Sequence, residues 1–346
     1  MLHVVELALP MRRPFVTATG TLPERRTLLI GVEAENVTGW AEAAPYPGQG
    51  PGSIDRVWSI ATSGEMGEVM ALPAVTNAIA DRTACSVGEP LWRRLGGKQR
   101  AVQAGLAIGA TPNTLDEVEE AVRRGYHTVK LKIRPGHDVD VVRRVREGFP
   151  ALEVGVDANG SYRSETDAAL DAIDRLGVAY IEQPYPAHDL TAHRSLRERV
   201  RTPVALDESI QSIADAMAVM SNAAADLLVV KPGRLGIAQA GMIHDLAVDR
   251  GLRVKPSGLI ETGIGRAFTM ALATLPGTVF PDLAPADAFL EVDPVASSPV
   301  LSRGTMMPPE SPGIGCAPDF VVAAPFMVQS CSRPFGLPEE PFFGAR

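Results

Sequence analysis

The feature that most constrains the fold is an alternation of short apolar runs and amphipathic stretches, which begins at Val102 and continues through most of the chain. The runs include HTVKLKI, LEVGVDA and DLLVVKP, and each is followed by a stretch of helical polarity. This alternation predicts parallel strands joined by right-handed helical crossovers. Seven or eight such units favour a closed barrel over an open, doubly wound sheet. No GxGxxG motif follows a strand, which argues against a dinucleotide-binding fold.

The residues before this repeat have a different pattern of polar and apolar residues, which predicts a smaller α+β unit. Strand patterns are followed by an apolar stretch that a proline interrupts. The predicted elements are a strand over Thr27–Glu35, a turn at Asn36–Gly39, a strand over Trp40–Ala44, a Gly/Pro-rich loop from Pro45, and helices around Ile54–Trp92 with a break at Pro73.

Length and composition allow two units in one chain. The chain has 346 residues, of which 45% are hydrophobic, enough apolar material for a barrel and a smaller companion. We therefore predict an α+β capping domain in residues 1–95 and a barrel in residues 96–304. A Pro- and Gly-rich tail over about 305–346 is expected to pack back on the cap.

The overall charge and the cysteines exclude several classes of function. A net charge of −8 argues against nucleic acid or an anionic membrane surface as the main partner. A small carboxylate substrate remains compatible with it, because a bound divalent cation would reverse the local field. Three widely separated cysteines do not form a disulfide framework or a zinc motif. With no signal-like N-terminus and no run of eighteen apolar residues, we predict a cytoplasmic protein.

Five ionisable residues end successive apolar runs at a nearly constant separation of 25, 25, 25 and 24 residues. One such residue at the carboxyl end of each of five strands would bring all five to the mouth of a barrel, where barrel active sites lie. A lone Asp in such a place is more often a helix N-cap, but a series in register is hard to explain in that way. The five residues are Lys132, Asp157, Glu182, Asp207 and Lys231.

The three carboxylates in the middle of this series predict a metal site. Asp157, Glu182 and Asp207 on adjacent strands would repel one another unless a cation lay between them. Oxygen donors without Cys or His favour Mg²⁺, and Mn²⁺ is also compatible.

The two lysines at the flanks of the trio suggest proton transfer. Around a barrel, Lys132 and Lys231 would face each other across a substrate. Lys130 lies on the same face of its strand as Lys132, and its like charge is expected to lower the neighbour's pKa. Glu208 is a candidate to orient or pair with Lys231. Asn159 fits equally well as a loop cap or as a partner of the ligands.

The motifs KLK (130–132), DAN (157–159), EQP (182–184), DES (207–209) and KPGR (231–234) resemble those of the enolase superfamily, specifically its muconate-lactonising subgroup. PFVTATG (14–20) and GWAEA (39–43) extend the resemblance to the cap, so that it covers nearly the whole chain. The resemblance implies a (β/α)7β modified TIM barrel with an α+β N-terminal cap. It also implies that the carboxylate trio binds Mg²⁺, that the two flanking lysines act as acid and base, and that an enediolate forms beside a carboxylate.

Within the subgroup, SGLIETGIGRA (257–267) resembles the branch of o-succinylbenzoate synthases and N-succinylamino acid racemases. The resemblance implies dehydration, as in menaquinone biosynthesis, or racemisation. Ala107 stands where this branch usually has Ser, Lys255–Pro256 replaces an aromatic and a small residue, and the cap between Pro51 and Leu95 is shorter than expected. Lys255 would either bind a substrate carboxylate or extend to solvent. The residues expected to contact substrate are Gly258, Ile260, Thr262 and Lys255.

Other functions remain open from the residues alone. Cycloisomerisation of a muconate-like diacid would use the same chemistry. So would dipeptide epimerisation, although Asp282 and Asp287 lack the DxD spacing typical of dipeptide epimerases. A Schiff-base aldolase using Lys132 or Lys231, or a barrel without catalysis, would belong to different classes. The family resemblance also implies a homo-oligomer.

Overall fold

The structure is a computed structural model that describes residues 1–46, 53–98, 100–163 and 167–337. Most of the predicted Gly/Pro-rich loop after Pro45 and the end of the predicted C-terminal tail lie outside the described residues. Within the described ranges, no helix combines the length and the apolar character needed to cross a membrane.

In chain order the strands are β1 (Leu2–Thr17), β2 (Gly20–Ala34), β3 (Val37–Ala43), β4 (Val102–Gln103), β5 (Gly105–Ile108), β6 (Thr128–Lys132), β7 (Glu153–Asp157), β8 (Ile181–Glu182), β9 (Val204–Leu206), β10 (Leu227–Val230), β11 (Arg253–Pro256), β12 (Leu301–Ser302), β13 (Thr305–Met306) and β14 (Met327–Arg333). The α-helices are α1 (Ile54–Ser63), α2 (Met66–Met70), α3 (Pro73–Ser86), α4 (Leu91–Arg94), α5 (Thr114–Arg123), α6 (Val139–Gly148), α7 (Asp167–Asp174), α8 (Leu190–Arg199), α9 (Ile213–Ser221), α10 (Pro232–Leu235), α11 (Ile237–Val248), α12 (Gly263–Ala273) and α13 (Phe320–Ala323).

The N-terminal strands form an antiparallel sheet in the order β14-β1-β2-β3, so a strand from the C-terminal tail pairs with β1. The turn between β2 and β3 is shorter than predicted. It consists of Glu35 and Asn36, both with positive φ, as in the two-residue hairpins that match the twist of a sheet. Val37 to Gly39, predicted as turn, therefore belong to β3. The predicted break at Pro73 is confirmed, because Pro73 opens α3.

Helix α3 lies close against this sheet. A Cβ on Gly39 would stand 2.2 Å from the Ala78 carbonyl oxygen, so only glycine permits this approach. One oxygen of Asp81 in α3 accepts a hydrogen bond from the Trp40 backbone N–H, and the other accepts one from the Ile314 backbone N–H, both at 2.7 Å. A single buried carboxylate thus joins the sheet, the helix and the tail.

The second large sheet has seven parallel strands, β5 to β11, in sequence order. All four residues of β10 (LLVV) are buried, as expected for a parallel strand covered by the barrel interior on one side and helices on the other. The first predicted run, VQAGLAIG, is divided. Its start, β4, pairs with β13 in a separate three-stranded sheet, and only Gly105–Ile108 joins the parallel sheet.

An irregular segment takes the place of an eighth strand. It is attached to β11 by isolated parallel bridges, Val254 with Thr278 and Ser257 with Asp282. On its other side, a Cβ on Gly105 of β5 would lie 2.4 Å from the Pro281 carbonyl oxygen. The barrel therefore closes through close backbone packing rather than through a full hydrogen-bonded strand, and the predicted modified TIM barrel is confirmed. The division into domains at residues 95 and 304 stays a prediction.

Candidate active site

The ends of five consecutive strands bring the five predicted residues together. Lys132, Asp157 and Glu182 are the last residues of β6, β7 and β8, and their register pairs Lys132 with Asp157 and Asp157 with Glu182. Asp207 and Lys231 directly follow β9 and β10. All five side chains are buried. The constant sequence separation arises because each strand–helix unit has nearly the same length.

Each flanking lysine is bonded to a carboxylate of the trio. Lys132 Nζ donates to Asp157 Oδ2 at 2.6 Å and to Asn159 Oδ1 at 3.0 Å. Lys231 Nζ donates to Asp207 Oδ2 at 2.7 Å. Lys132 and Lys231, which we call the outer pair, therefore stand at the two ends of the row of carboxylates.

Asn159 and Glu208 are joined to this row. Asn159 Nδ2 donates to Glu208 Oε1 at 2.8 Å, so the amide links Lys132 to Glu208. Glu208 lies close enough to Lys231 for the ammonium charge to act on it. Asn159 has a φ of 44°, a left-handed conformation that asparagine tolerates better than most residues. This geometry favours its interpretation as a partner of the site.

Two further lysines, the inner pair Lys130 and Lys255, share carboxylates with each other. Lys130 Nζ lies 2.7 Å from Glu182 Oε1 and 2.5 Å from Asp282 Oδ2. Lys255 Nζ lies 2.5 Å from the same Asp282 oxygen and 3.3 Å from Glu182 Oε2. Ser257 Oγ donates to Asp282 Oδ2 at 2.9 Å. The eighth, irregular segment thus supplies a carboxylate that sequence reasoning assigned to no site.

Two of the predicted substrate contacts are buried and engaged within the protein, and their contact with substrate stays a prediction. Lys255 is 0% exposed and does not extend to solvent, because the barrel interior surrounds it. Thr262 is also buried, and its Oγ1 donates to Glu42 Oε2 at 2.6 Å, which joins the loop to the cap sheet. Gly258 and Ile260, in contrast, line a cavity, and their contact with substrate stays a prediction.

This cavity lies at the strand ends and has a volume of about 60 Å³. Both lysines of the outer pair line it. Phe15 and Tyr46 line it from the N-terminal region, and Ala107 lines it from β5. Phe15 packs edge-on against Phe289 with ring centroids 5.7 Å apart, which joins the cap to the segment after the barrel.

Burial and the lysines set the protonation of the trio. Burial opposes ionisation of Asp157, but Lys132 and Lys130 outweigh it and hold the pKa of Asp157 well below its usual range. In the same way, burial is outweighed by Lys231 and Arg234 at Asp207, which lowers its pKa to about 2. At Glu182 burial prevails and raises the pKa to about 7.

The expected effect of Lys130 on its neighbour is outweighed. Burial lowers the pKa of Lys132 and Lys130 lowers it further, but the charges of Asp157 and Glu182 and the hydrogen bond to Asp157 together outweigh both, and the net pKa lies above its usual value. The prediction of a depressed pKa is therefore wrong for this arrangement, because it considered the neighbouring lysine and not the adjacent carboxylate.

Gln183 is a supporting residue that sequence reasoning missed. Its Oε1 accepts from the Asp207 backbone N–H at 2.9 Å, and its Nε2 donates to the Tyr185 carbonyl oxygen at 3.0 Å and to Ser209 Oγ at 2.9 Å. His193 Nε2 accepts from the Tyr185 N–H at 3.2 Å. A polar residue directly after a strand-end glutamate is the signal that would have indicated this bridge between β8 and β9.

The donor chemistry of the trio fits a hard cation, although the described side chains do not form a ready cluster. In the described ranges, no three Asp, Glu, His or Cys side chains stand in an arrangement that could hold a metal ion. Each carboxylate is instead engaged by lysine or arginine. The oxygens of Asp157, Glu182 and Asp207 are those that Mg²⁺ and Mn²⁺ prefer. Glu182 Oε2 is buried and accepts no hydrogen bond from the described residues.

Fold and site together define an α/β-barrel class in which lysines flank strand-end carboxylates. The sequence model of the family described as "Enolase C-terminal domain-like" matches residues 113–321. The chain belongs to this family and is an enzyme of the enolase superfamily, of lyase or isomerase type.

Named relatives cover most of the chain. The o-succinylbenzoate synthase of Geobacillus kaustophilus is 32% identical over 339 residues, which span 89% of this chain and 90% of that protein. The N-succinylamino acid racemase of Thermus thermophilus is 38% identical over 254 residues, which span 72% of this chain and 69% of that protein. The chain is thus similar both to named synthases and to named racemases.

Solved structures show the same architecture. An enolase-superfamily member from Listeria innocua superposes with a TM-score of 0.85 at 26% identity, covering 95% of this chain and 97% of that one. A dipeptide epimerase from Cytophaga hutchinsonii, solved with Mg and a dipeptide, gives a TM-score of 0.87 at 20% identity and covers 95% and 98% of the two chains. The second likeness shows the fold alone.

Proposed function

We propose that this enzyme moves a proton on the carbon next to a substrate carboxylate, as an o-succinylbenzoate synthase, an N-succinylamino acid racemase, or both. The observation that carries the proposal is the outer pair: two buried lysines at opposite ends of one carboxylate row, both lining one cavity. Racemisation by two bases requires a basic group within reach of each face of the carbon, whereas dehydration requires one base and a cation that stabilises the developing charge. The similarity to synthases and racemases over most of the chain supports this chemistry.

In this proposal Asp157, Glu182 and Asp207 bind Mg²⁺, or alternatively Mn²⁺. When bound, the metal supplies positive charge to the substrate carboxylate as negative charge develops there. Gln183 and Arg234 hold Asp207 through its backbone N–H, its carbonyl oxygen and its carboxylate, so its position is fixed before substrate arrives. Preorganisation of this kind reduces the cost of ordering a site during catalysis.

The two lysines carry the proton. In racemisation, one Nζ takes the α-proton from its face and the other Nζ delivers a proton to the opposite face. In dehydration, one lysine removes the proton and assists loss of hydroxide, while the other stays protonated and stabilises the developing charge. The contact with Asp157 favours the protonated form of Lys132. Lys132 can therefore act as a base only when the Asp157 carboxylate binds another group instead of the Lys132 ammonium.

The test is an assay with two substrate classes in the presence of Mg²⁺. One is the cyclohexadiene precursor of o-succinylbenzoate, and the other is a set of N-succinylamino acids in D₂O, followed by NMR. Dehydration of the first alone makes the enzyme a synthase, and deuterium exchange at the α-carbon of the second indicates a racemase. Lys98→Ala, at an exposed position, is the matched control for Lys132→Ala and Lys231→Ala. Undiminished turnover in both active-site variants would refute the two-lysine mechanism.

The alternatives receive less support from the geometry. Asp282 and Asp287 lack the DxD spacing typical of dipeptide epimerases, and Asp287 forms an exposed ion pair with Arg124 at 3.1 Å. A Schiff-base aldolase would not need the three carboxylates that stand together at the strand ends. A cytoplasmic location, a homo-oligomeric assembly and a small carboxylate substrate belong to the same proposal.

A further inference from the structure

The active-site cavity contains one cation that is held differently from the others. Among its lining residues, Lys130, Lys132 and Lys231 are each bonded to a carboxylate. Arg266 also lines the cavity, from the first turn of α12, and is only 6% exposed. Within the described ranges, no carboxylate forms an ion pair with its guanidinium group.

The described contacts of the Arg266 guanidinium are neutral. Nε donates to the Glu261 carbonyl oxygen at 2.9 Å, and Nη1 donates to the Ala284 carbonyl oxygen at 2.6 Å. The Phe289 ring lies 5.2 Å from the guanidinium carbon. These contacts fix the plane of the group and leave Nη2 without a hydrogen-bond acceptor among the described residues.

A buried cation without a paired anion is unfavourable, and an anionic ligand would remove that cost. Guanidinium is well suited to carboxylate, because its N–H groups match the two oxygens. The cavity that Arg266 lines is also the cavity that both outer lysines line. An anion bound there would therefore share the space with the reacting centre.

We propose that Arg266 binds a second carboxylate of the substrate, remote from the carbon that loses its proton. The enzyme then selects dicarboxylates, and Arg266 determines this specificity by contact with the distal end. This inference rests on the proposed function for the identity of the reacting end. It adds that a substrate without the distal carboxylate is a poor one.

The test compares N-succinyl and N-butanoyl derivatives of one amino acid, which have acyl chains of equal length and differ in the terminal carboxylate. Arg266→Gln should lower the ratio of kcat/KM for succinyl over butanoyl substrate by about 10- to 100-fold, the range for a lost hydrogen bond to a charged group. Arg266→Lys should recover part of this preference. An unchanged ratio in Arg266→Gln would overturn the proposal.

Arg25→Gln is the matched control for a purely structural effect. Arg25 is also buried and donates to the carbonyl oxygens of Leu259 and Ile260 in the same loop, but it is not among the residues that line the cavity. Its substitution should affect both substrates to the same extent. Loss of the succinyl preference in Arg25→Gln as large as in Arg266→Gln would also refute the assignment, because both arginines would then act through the loop.

A binding measurement separates this inference from the proposed function. If the wild type turns over neither these derivatives nor the cyclohexadiene precursor, the proposed function fails while anion binding can still be measured. In the presence of Mg²⁺, succinate should raise the Tm of the wild type more than butyrate does, and Arg266→Gln should abolish the difference. Equal effects of succinate and butyrate on the wild type would overturn the dicarboxylate subsite itself.

Discussion

The outer and inner lysine pairs have the same side chain in the same barrel, but their surroundings differ. The outer pair, Lys132 and Lys231, lines the cavity, and each is bonded to a metal-ligand candidate at a strand end. In the inner pair, Lys130 and Lys255 meet on one oxygen of Asp282, and Lys255 has no exposed surface. Because Lys130 also lines the cavity, the difference lies in the carboxylates around each ammonium group: Lys130 and Lys255 share Asp282 and Glu182, whereas Lys132 and Lys231 are bonded to different carboxylates.

The largest expected effect is an opposite stereochemical defect in the two outer-pair variants. If Lys132 and Lys231 act on opposite faces, each single Ala variant loses α-proton exchange with one enantiomer of an N-succinylamino acid by about 100- to 10,000-fold. Exchange with the other enantiomer continues, because the remaining lysine still reaches its own face. NMR in D₂O with each pure enantiomer measures this directly. Loss of the same enantiomer in both variants would contradict the placement on opposite faces.

For the inner pair, the expected effect is on stability. Lys255→Met leaves Asp282 and Glu182 buried with one cation fewer, and breaking a buried pair in this way costs about 3–5 kcal/mol. Adding Asp282→Asn should recover part of that loss, so the two substitutions will be non-additive. Urea denaturation of the single and double variants measures the coupling, with exposed Lys98→Met as control. A loss below about 1 kcal/mol would mean that the pair contributes little.

The His193 imidazole, which accepts a hydrogen bond from the Tyr185 N–H beside Gln183, gives a pH-dependent prediction. Burial lowers the pKa of His193 from 6.5 to about 4, so the unfolded chain takes up a proton first as the pH falls. The stabilisation is therefore complete above pH 6.5 and is lost towards pH 4, by about 3 kcal/mol in total. His193→Gln should flatten this part of the curve of unfolding free energy against pH. The exposed His188→Gln is the control, and an equal flattening there would contradict the assignment.

The smallest expected effect is stabilisation by metal. At about 100 times its Kd, Mg²⁺ should stabilise the protein by about 2.7 kcal/mol, because it binds the folded chain alone. Asp157→Asn and Glu182→Gln should abolish the shift. Glu153→Gln, at the exposed start of the same strand as Asp157, should keep it. Denaturation curves with Mg²⁺ and with a chelator decide this, and a shift that persists in Glu182→Gln would remove that residue from the ligand set.

The carboxylate row and the outer lysines could be predicted from the chain alone. Asp157, Glu182 and Asp207 lie one strand–helix unit apart, and parallel strands of a barrel end at the same mouth. The family resemblance was likewise available from local motifs. The contacts that sequence reasoning did not foresee are those with a partner distant in sequence. The pKa of Lys132 follows Asp157 on the next strand, and Thr262 is bonded to Glu42 in the cap.

The remaining contacts of the site depend on how the barrel closes. Asp282 meets Lys130 and Lys255 because an irregular segment, rather than a patterned strand, completes the sheet. Arg266 lines the cavity from α12, and Phe15 lines it from β1, although the two are far apart in sequence. Local spacing specifies which residues share a strand end, whereas contacts between segments far apart in sequence depend on how the backbone packs, which no local pattern encodes.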